Sequence, residues 1–154
     1  MSKVALGKKA PPFALDGTGG TFTLADAEGS AVVMYFYPRD NTPGCTQEGE
    51  SFTTHFAQFK KAKTMILGIS ADSIESHEKF KTKMNFPFDL LSDPDQKVCT
   101  LYDVIQEKAM YGKKYMGIER STFLVDAKGV LRQEWRKVKV AGHAEAVFAA
   151  VKAL

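Results

Sequence analysis

The chain has 154 residues, 44% of them apolar and 25% charged, and 21 basic against 18 acidic side chains leave a formal charge of +3. That size and balance describe an ordinary globular chain able to bury a core without disulfides or a structural metal. The small positive excess, with no basic run longer than Lys60-Lys61 plus Lys63 or Lys113-Lys114, argues against nucleic acid or an anionic membrane as partner.

The opening segment Met1 to Lys9 has no apolar core of signal-peptide length, and no stretch is long enough to span a bilayer. Two cysteines, Cys45 and Cys99, do not make a secreted disulfide framework. The expectation is one cytoplasmic domain over residues 1–154. His55, His77 and His143 are far apart, and no Cys-x-x-Cys or His-x-x-x-His spacing occurs, so neither a metal nor a cofactor is expected.

In chain order, Phe13-Ala14-Leu15 and Thr21 to Leu24 flank the turn chemistry of Asp16-Gly17-Thr18-Gly19-Gly20, a hairpin. Ala31 to Tyr37 is a continuous apolar run, as in a strand buried on both faces. Pro38 to Gly44 reads as a loop, and a helix follows with Phe52, Phe56 and Phe59 on one face. Thr64 to Ala71 is a second buried strand, and Asp72 and Ser73 suit the cap of a helix running to about Met84. Phe88 to Leu91 is a short strand, and Asp93-Pro94 opens a short helix through Cys99. Ser121 to Asp126 and Val130 to Trp135 alternate around a turn at Ala127-Lys128-Gly129, and a last helix starts near Gly142. This order predicts an α/β architecture: a mixed central sheet with helices on both faces and an N-terminal β-hairpin, with the thioredoxin-like fold a natural candidate.

The informative element is Pro38-x-x-x-Thr42-x-x-Cys45, between a buried strand and a helix, where α/β sheets place their sites. Thr42 suits the N-cap and Pro43 the first helical position. Gly44 lets another group approach the backbone. Cys45 then lies in the first turn, where unpaired N–H groups and the helix dipole favour thiolate over thiol. The thiolate is the nucleophile. Attack on a peroxide also needs donors or positive charge where the leaving oxygen develops its anion. Thr42 offers a hydroxyl, Arg120 and Arg39 are the candidate cations, and Pro38 would wall the pocket against water. Cys99 reads instead as a buried small hydrophobe.

The stretches Gly7 to Phe13, Tyr35 to Thr46, Gly68-Ile69-Ser70, Leu90 to Asp93 and Glu119 to Asp126 together resemble the peroxiredoxins of the bacterioferritin-comigratory-protein class, also called Q-type, over nearly the whole chain. The resemblance implies a thioredoxin-like fold and thiol-dependent reduction of hydrogen peroxide and organic hydroperoxides. It implies Cys45 as the peroxidatic cysteine, Thr42 and Arg120 as the groups that bind peroxide and activate the thiol, and Pro38 as its shield. Glu48 matches an acid that helps hold the arginine. Alone it would disfavour a nearby thiolate, so pairing with Arg120 or Arg39 makes better physical sense.

The chain departs from that class in the second half of the cycle. Many members carry a resolving cysteine at the position held here by Glu50, others in the region of Ile74 to Lys83, which holds none. The preferred reading is a one-cysteine enzyme whose sulfenic acid is reduced by an external thiol such as thioredoxin, glutaredoxin or a small thiol. The alternative makes Cys99 the resolving cysteine, with thioredoxin reducing the internal disulfide, which requires Cα atoms within ~7 Å. A thioredoxin-like dithiol oxidoreductase is the competing class, disfavoured by the lack of Cys-x-x-Cys; a peroxide sensor on the same fold is a third. The expected state is a monomer or weak homodimer. Met110, Tyr111, Tyr115 and Met116 would form an interface, line the pocket or, preferably, cover the core from a loop.

Overall fold

The computed structural model describes residues 4–154, so Met1 to Lys3, the start of the segment read for a signal peptide, lie outside it. The elements run β1 (Ala14–Gly17), β2 (Gly20–Thr23), a 3-10 turn (Leu24–Ala27), β3 (Ala31–Phe36), α1 (Pro43–Thr54), α2 (Phe56–Lys61), β4 (Thr64–Ser70), α3 (Ile74–Met84), β5 (Asp89–Ser92), α4 (Lys97–Leu101), β6 (Ile105–Met110), β7 (Lys113–Ile118), β8 (Ser121–Val125), β9 (Leu131–Trp135) and α5 (His143–Lys152). Among the described residues, no helix is long and apolar enough to cross a membrane.

β3 is buried at every residue. Its pleat sends Val32, Met34 and Phe36 into one core and Val33 and Tyr35 into the other. It lies between β4, parallel, and β8, antiparallel, in a seven-stranded sheet of order β2-β1-β5-β4-β3-β8-β9. Phe52 of α1, Phe59 of α2, Phe80 of α3 and Val147 and Val151 of α5 cover the face of Val33 and Tyr35. The opposite face packs on Val98 and Cys99 of α4, Leu24 and Ala27 of the 3-10 turn, and Phe13. Mixed strands with helices on both faces are the architecture that the element order predicts.

Three local expectations need correction. The helix carrying Phe52, Phe56 and Phe59 is two helices, broken at His55. Thr53 and Thr54 turn their hydroxyls back onto the carbonyls of Gly49 and Glu50, a bond that bends helices, and His55 leaves the axis to bond Gln58 and Glu145. The helix expected from Asp93-Pro94 starts only at Lys97; the Asp93 carboxylate instead accepts the Cys99 N–H at 2.8 Å, across the intervening turn. The segment around Met110 to Met116, expected to lie as a loop over the core, is the β6–β7 hairpin, a separate two-stranded sheet. Tyr111 and Gly112 join its strands with φ of 53° and 77°, the left-handed pair that two-residue hairpin turns demand.

Candidate active site

The chain leaves β3 through Tyr37 and turns over the sheet edge in the loop Pro38 to Thr42. Asn41 takes a left-handed φ of 65°, and Thr42 is extended, ready to enter α1. Pro43 occupies the first helical position, and the first intrahelical bond runs from Thr46 N–H to Thr42 O at 2.9 Å. The N–H groups of Gly44 and Cys45 therefore have no carbonyl within the helix to meet. Thr42 is the N-cap residue, but its hydroxyl does not cap: it donates to Arg39 O at 2.9 Å. Cys45 is 2% exposed, beneath this turn.

β8 supplies the cation. Its register pairs Ser121 with Phe36, so Arg120 arrives beside the end of β3 where the loop begins. Arg120 Nη2 donates to Cys45 Sγ at 3.4 Å, and Nη1 donates to Glu48 Oε1 at 2.6 Å. Glu48 follows Cys45 by three residues, so helical spacing puts both on the face that meets the arginine. Gly44 makes room: a Cβ there would stand 3.0 Å from Arg120 Nη2. The expected close approach at Gly44 is thus that of Arg120. Arg39, the other candidate cation, is exposed and contributes its backbone carbonyl. Pro38 is half-buried at the head of the loop.

Glu48 is nearly completely buried, and its Oε2 has no hydrogen-bond partner. Burial lifts its carboxyl to about 7 although the Arg120 charge and hydrogen bond pull the other way. Burial likewise works against the charge of Arg120, but Glu48 and Cys45 outweigh it and keep the guanidinium charged. Lys108 on β6 adds a half-buried ammonium near the same group; burial, and then the Arg120 charge, draw it below its ordinary value. Sequence reasoning missed Lys108 because it missed the hairpin.

Cys99 stands elsewhere. It is fully buried in the core on the other face of the sheet from Cys45. Burial, followed by the Asp93 hydrogen bond and charge, pushes its thiol far above the ordinary range. The apolar residues of the hairpin neither cover the core nor pack on it: Met110, Tyr111, Tyr115 and Met116 are exposed, Tyr111 by 97%.

A second cluster escaped the sequence reading. Asp40, inside the Pro38 to Cys45 element, meets His77 of α3 and Asp72 of the β4–α3 connection. Asp72, a helix-cap candidate by sequence, does not cap α3; Ser73 does, by accepting the Ser76 N–H. The three groups lie within 4.8 Å of one another, close enough to suggest a cation site. His77, however, faces the Leu91 carbonyl with Nε2 and the Asp40 carboxylate with Nδ1, so both ring nitrogens are already engaged within the protein.

A shielded sulfur at a helix start, touched by a fixed guanidinium and close to unpaired N–H groups, suits nucleophilic attack in which negative charge moves from sulfur to a leaving oxygen. The AhpC/TSA family matches residues 6–134. Peroxiredoxin Bcp of Xanthomonas campestris is 54% identical over 142 residues, 92% of this chain and 88% of that protein. The bacterioferritin comigratory protein of Xanthomonas campestris, solved as trapped intermediate and ligand complexes, superposes with a TM-score of 0.87 at 52% identity, covering 92% of this chain and 90% of that one. A Xylella fastidiosa PrxQ structure gives a TM-score of 0.93 at 41% identity, over 99% of this chain and 98% of that one. The fold is accordingly thioredoxin-like. Agreement of this extent, in sequence and in backbone, means that the chain belongs to the AhpC/TSA family and is a peroxiredoxin, a thiol-dependent peroxidase.

Proposed function

We propose that Cys45 is the peroxidatic cysteine and that the enzyme works with this cysteine alone. The carrying observation is the bond from Arg120 Nη2 to Cys45 Sγ at 3.4 Å, made by a guanidinium whose other arm Glu48 holds at 2.6 Å. The Cys45 thiolate attacks the terminal oxygen of a hydroperoxide. A sulfur–oxygen bond forms, the O–O bond breaks, and the departing alkoxide or hydroxide takes a proton and leaves as alcohol or water. Sulfur is oxidised to sulfenic acid and the peroxide is reduced by the same two electrons. Arg120 and the N–H groups of Gly44 and Cys45 stabilise the oxygen that gains charge. Thr42 accepts the peroxide O–H, because its own proton is already given to Arg39 O. Pro38 shields the sulfur from water at the head of the loop, and Glu48 holds the arginine.

Hydrogen peroxide and organic hydroperoxides are the substrates. The Xanthomonas campestris bacterioferritin comigratory protein has alkyl peroxide reduction activity, which supports the second class. An external thiol (thioredoxin, glutaredoxin or a small thiol) then attacks the sulfenic sulfur, releasing water and leaving a mixed disulfide that a second thiol reduces. The cytoplasm, rich in thiols, suits this cycle. Two observations support the one-cysteine route: Cys99 lies across the sheet from Cys45, and its thiol is held protonated. One equivalent of peroxide without reductant, followed by mass spectrometry, tests both parts. The expected product is a sulfenic acid at Cys45; a Cys45–Cys99 disulfide overturns the one-cysteine route, and undiminished peroxide consumption by Cys45→Ser overturns the assignment.

A further inference from the structure

The strongest unassigned feature is the knot around Asp40. Its carboxylate, 2% exposed, accepts Tyr37 Oη at 2.6 Å on Oδ1, and Ser76 Oγ and His77 Nδ1 at 2.8 Å each on Oδ2. His77 Nε2 donates to Leu91 O at 2.9 Å. Both His77 nitrogens are engaged, one by the Asp40 carboxylate and one by the Leu91 carbonyl, so the buried Asp40–His77 pair is fixed from both sides. Burial works against the Asp40 charge, but the bonds from His77, Tyr37 and Ser76 outweigh it and hold the carboxyl below its usual range.

The backbone of Asp40 is clamped as well. Its N–H donates to Asp72 Oδ2 at 2.9 Å, and that oxygen also accepts Ser70 Oγ at 2.6 Å. This N–H belongs to the same planar peptide unit as the Arg39 carbonyl. The Arg39 carbonyl is the group that takes the Thr42 hydroxyl proton. One rigid plate thus carries Asp72 on its N–H edge and Thr42 on its C=O edge. If the plate turns, the Thr42 hydroxyl loses its acceptor and is free to rotate its proton toward the peroxide, where an acceptor is required.

We infer that Asp72 and the Asp40–His77 pair are positioning residues for peroxide attack, acting through the Arg39–Asp40 peptide plane to hold Thr42 as a hydrogen-bond acceptor. The inference rests on the reading of Cys45 and Thr42 given above. It predicts that these groups matter for reaction with peroxide and not for the reactivity of the sulfur in general, because an alkylating agent attacks the thiolate without needing Thr42.

The experiment compares two rates at Cys45 in the full chain at one pH: oxidation by hydrogen peroxide and alkylation by iodoacetamide. Asp72→Ala removes the acceptor of the Asp40 N–H and should slow oxidation at least ~10-fold while alkylation stays within ~2-fold, a modest share of the ~10²–10⁴ that a positioned proton acceptor contributes. Asp72→Asn keeps an acceptor oxygen and should restore most of the oxidation rate. In a Thr42→Val background Asp72→Ala should slow oxidation little further, as expected for groups acting through one another. Equal losses in both rates, or full additivity with Thr42→Val, overturn the inference. If Asp72→Ala does not fold, Asp40→Asn, which removes the carboxylate charge facing His77 but keeps an acceptor for Tyr37, is read in the same two rates with the same expectations. The underlying reading fails separately: it falls if Cys45→Ser leaves peroxide consumption intact, or if Thr42→Val by itself leaves Cys45 oxidation intact.

Discussion

Replacing Glu48 by glutamine should change how stability depends on pH. Burial lifts the Glu48 carboxyl from an ordinary 4.5 to about 7. Between these values the folded chain holds a proton that the unfolded chain has released. The folded state therefore binds more protons, and stability falls as pH rises through this window. The contribution is fully present below pH ~4.5 and lost once pH passes ~7; a shift of this size corresponds to up to about 3 kcal/mol, or ~1.4 kcal/mol per pH unit. His143 acts in the opposite sense. Buried with Nε2 2.8 Å from Thr122 Oγ1, it is lowered from 6.5 to about 4 by burial and then by the Arg120 charge. Its contribution is present above pH ~6.5 and lost as pH falls toward ~4. The two slopes oppose each other from pH ~4.5 to ~6.5, so the parent protein hides both. Glu48→Gln cannot titrate, and the slope of His143 is exposed. Urea unfolding at fixed ionic strength from pH 4.5 to 8, followed by circular dichroism, should show the stability of Glu48→Gln gaining up to about 3 kcal/mol on that of the parent as pH rises to ~7. The amide will also leave a buried N–H group facing the partnerless Oε2 position, a constant offset that does not alter the slope. A difference between the two proteins that is flat with pH would refute the reasoning, because it would mean that Arg120 keeps Glu48 ionised in the folded state.

Arg120→Lys keeps a charge but cannot bridge Glu48 and Cys45 with one planar group; stopped-flow oxidation of Cys45 should slow by ~10²-fold, the usual cost of one lost charge-stabilising donor. Cys99→Ala should leave peroxide turnover with an external thiol unchanged. It should lower unfolding free energy by about 1 kcal/mol through lost packing of a fully buried side chain, and a collapse of turnover would restore the resolving role. Ser73→Ala removes the acceptor of the Ser76 N–H at the start of α3; denaturant melts should show a loss of about 1 kcal/mol, and no loss would mean that the cap is idle.

Much of this molecule is legible along the chain because its signals are local. The apolar run of β3, the Asp72-Ser73 start of α3 and the Pro43 entry to α1 are each stated within a few residues by side-chain burial and backbone chemistry. The hairpin β6–β7 escaped because its strands bury little and its turn is Tyr111-Gly112, in which only one residue is a usual left-handed former. The break at His55 escaped because periodicity continues across it: Phe52 and Phe59 remain in one core although the helix does not run between them.

The amino-acid sequence by itself determined where the Cys45 sulfur, the proposed nucleophile, sits. Pro38, Thr42, Pro43, Gly44 and Cys45 are neighbours in the chain, and the rules of helix entry place that sulfur in a first turn whatever the rest of the fold does. Local chemistry named Arg120 and Arg39 as cations without choosing between them, and only the family resemblance pointed to Arg120. The choice belongs to the antiparallel pairing of β8 with β3, which brings Arg120 to Cys45 and leaves Arg39 exposed. Tertiary structure also decided the separation of the two thiols, because the side of the sheet that a helix covers is set by packing between distant segments. The plate through which Asp72 reaches Thr42 is of the same kind: residues 32 positions apart meet there because β3 and β4 run parallel and deliver their ends to one edge.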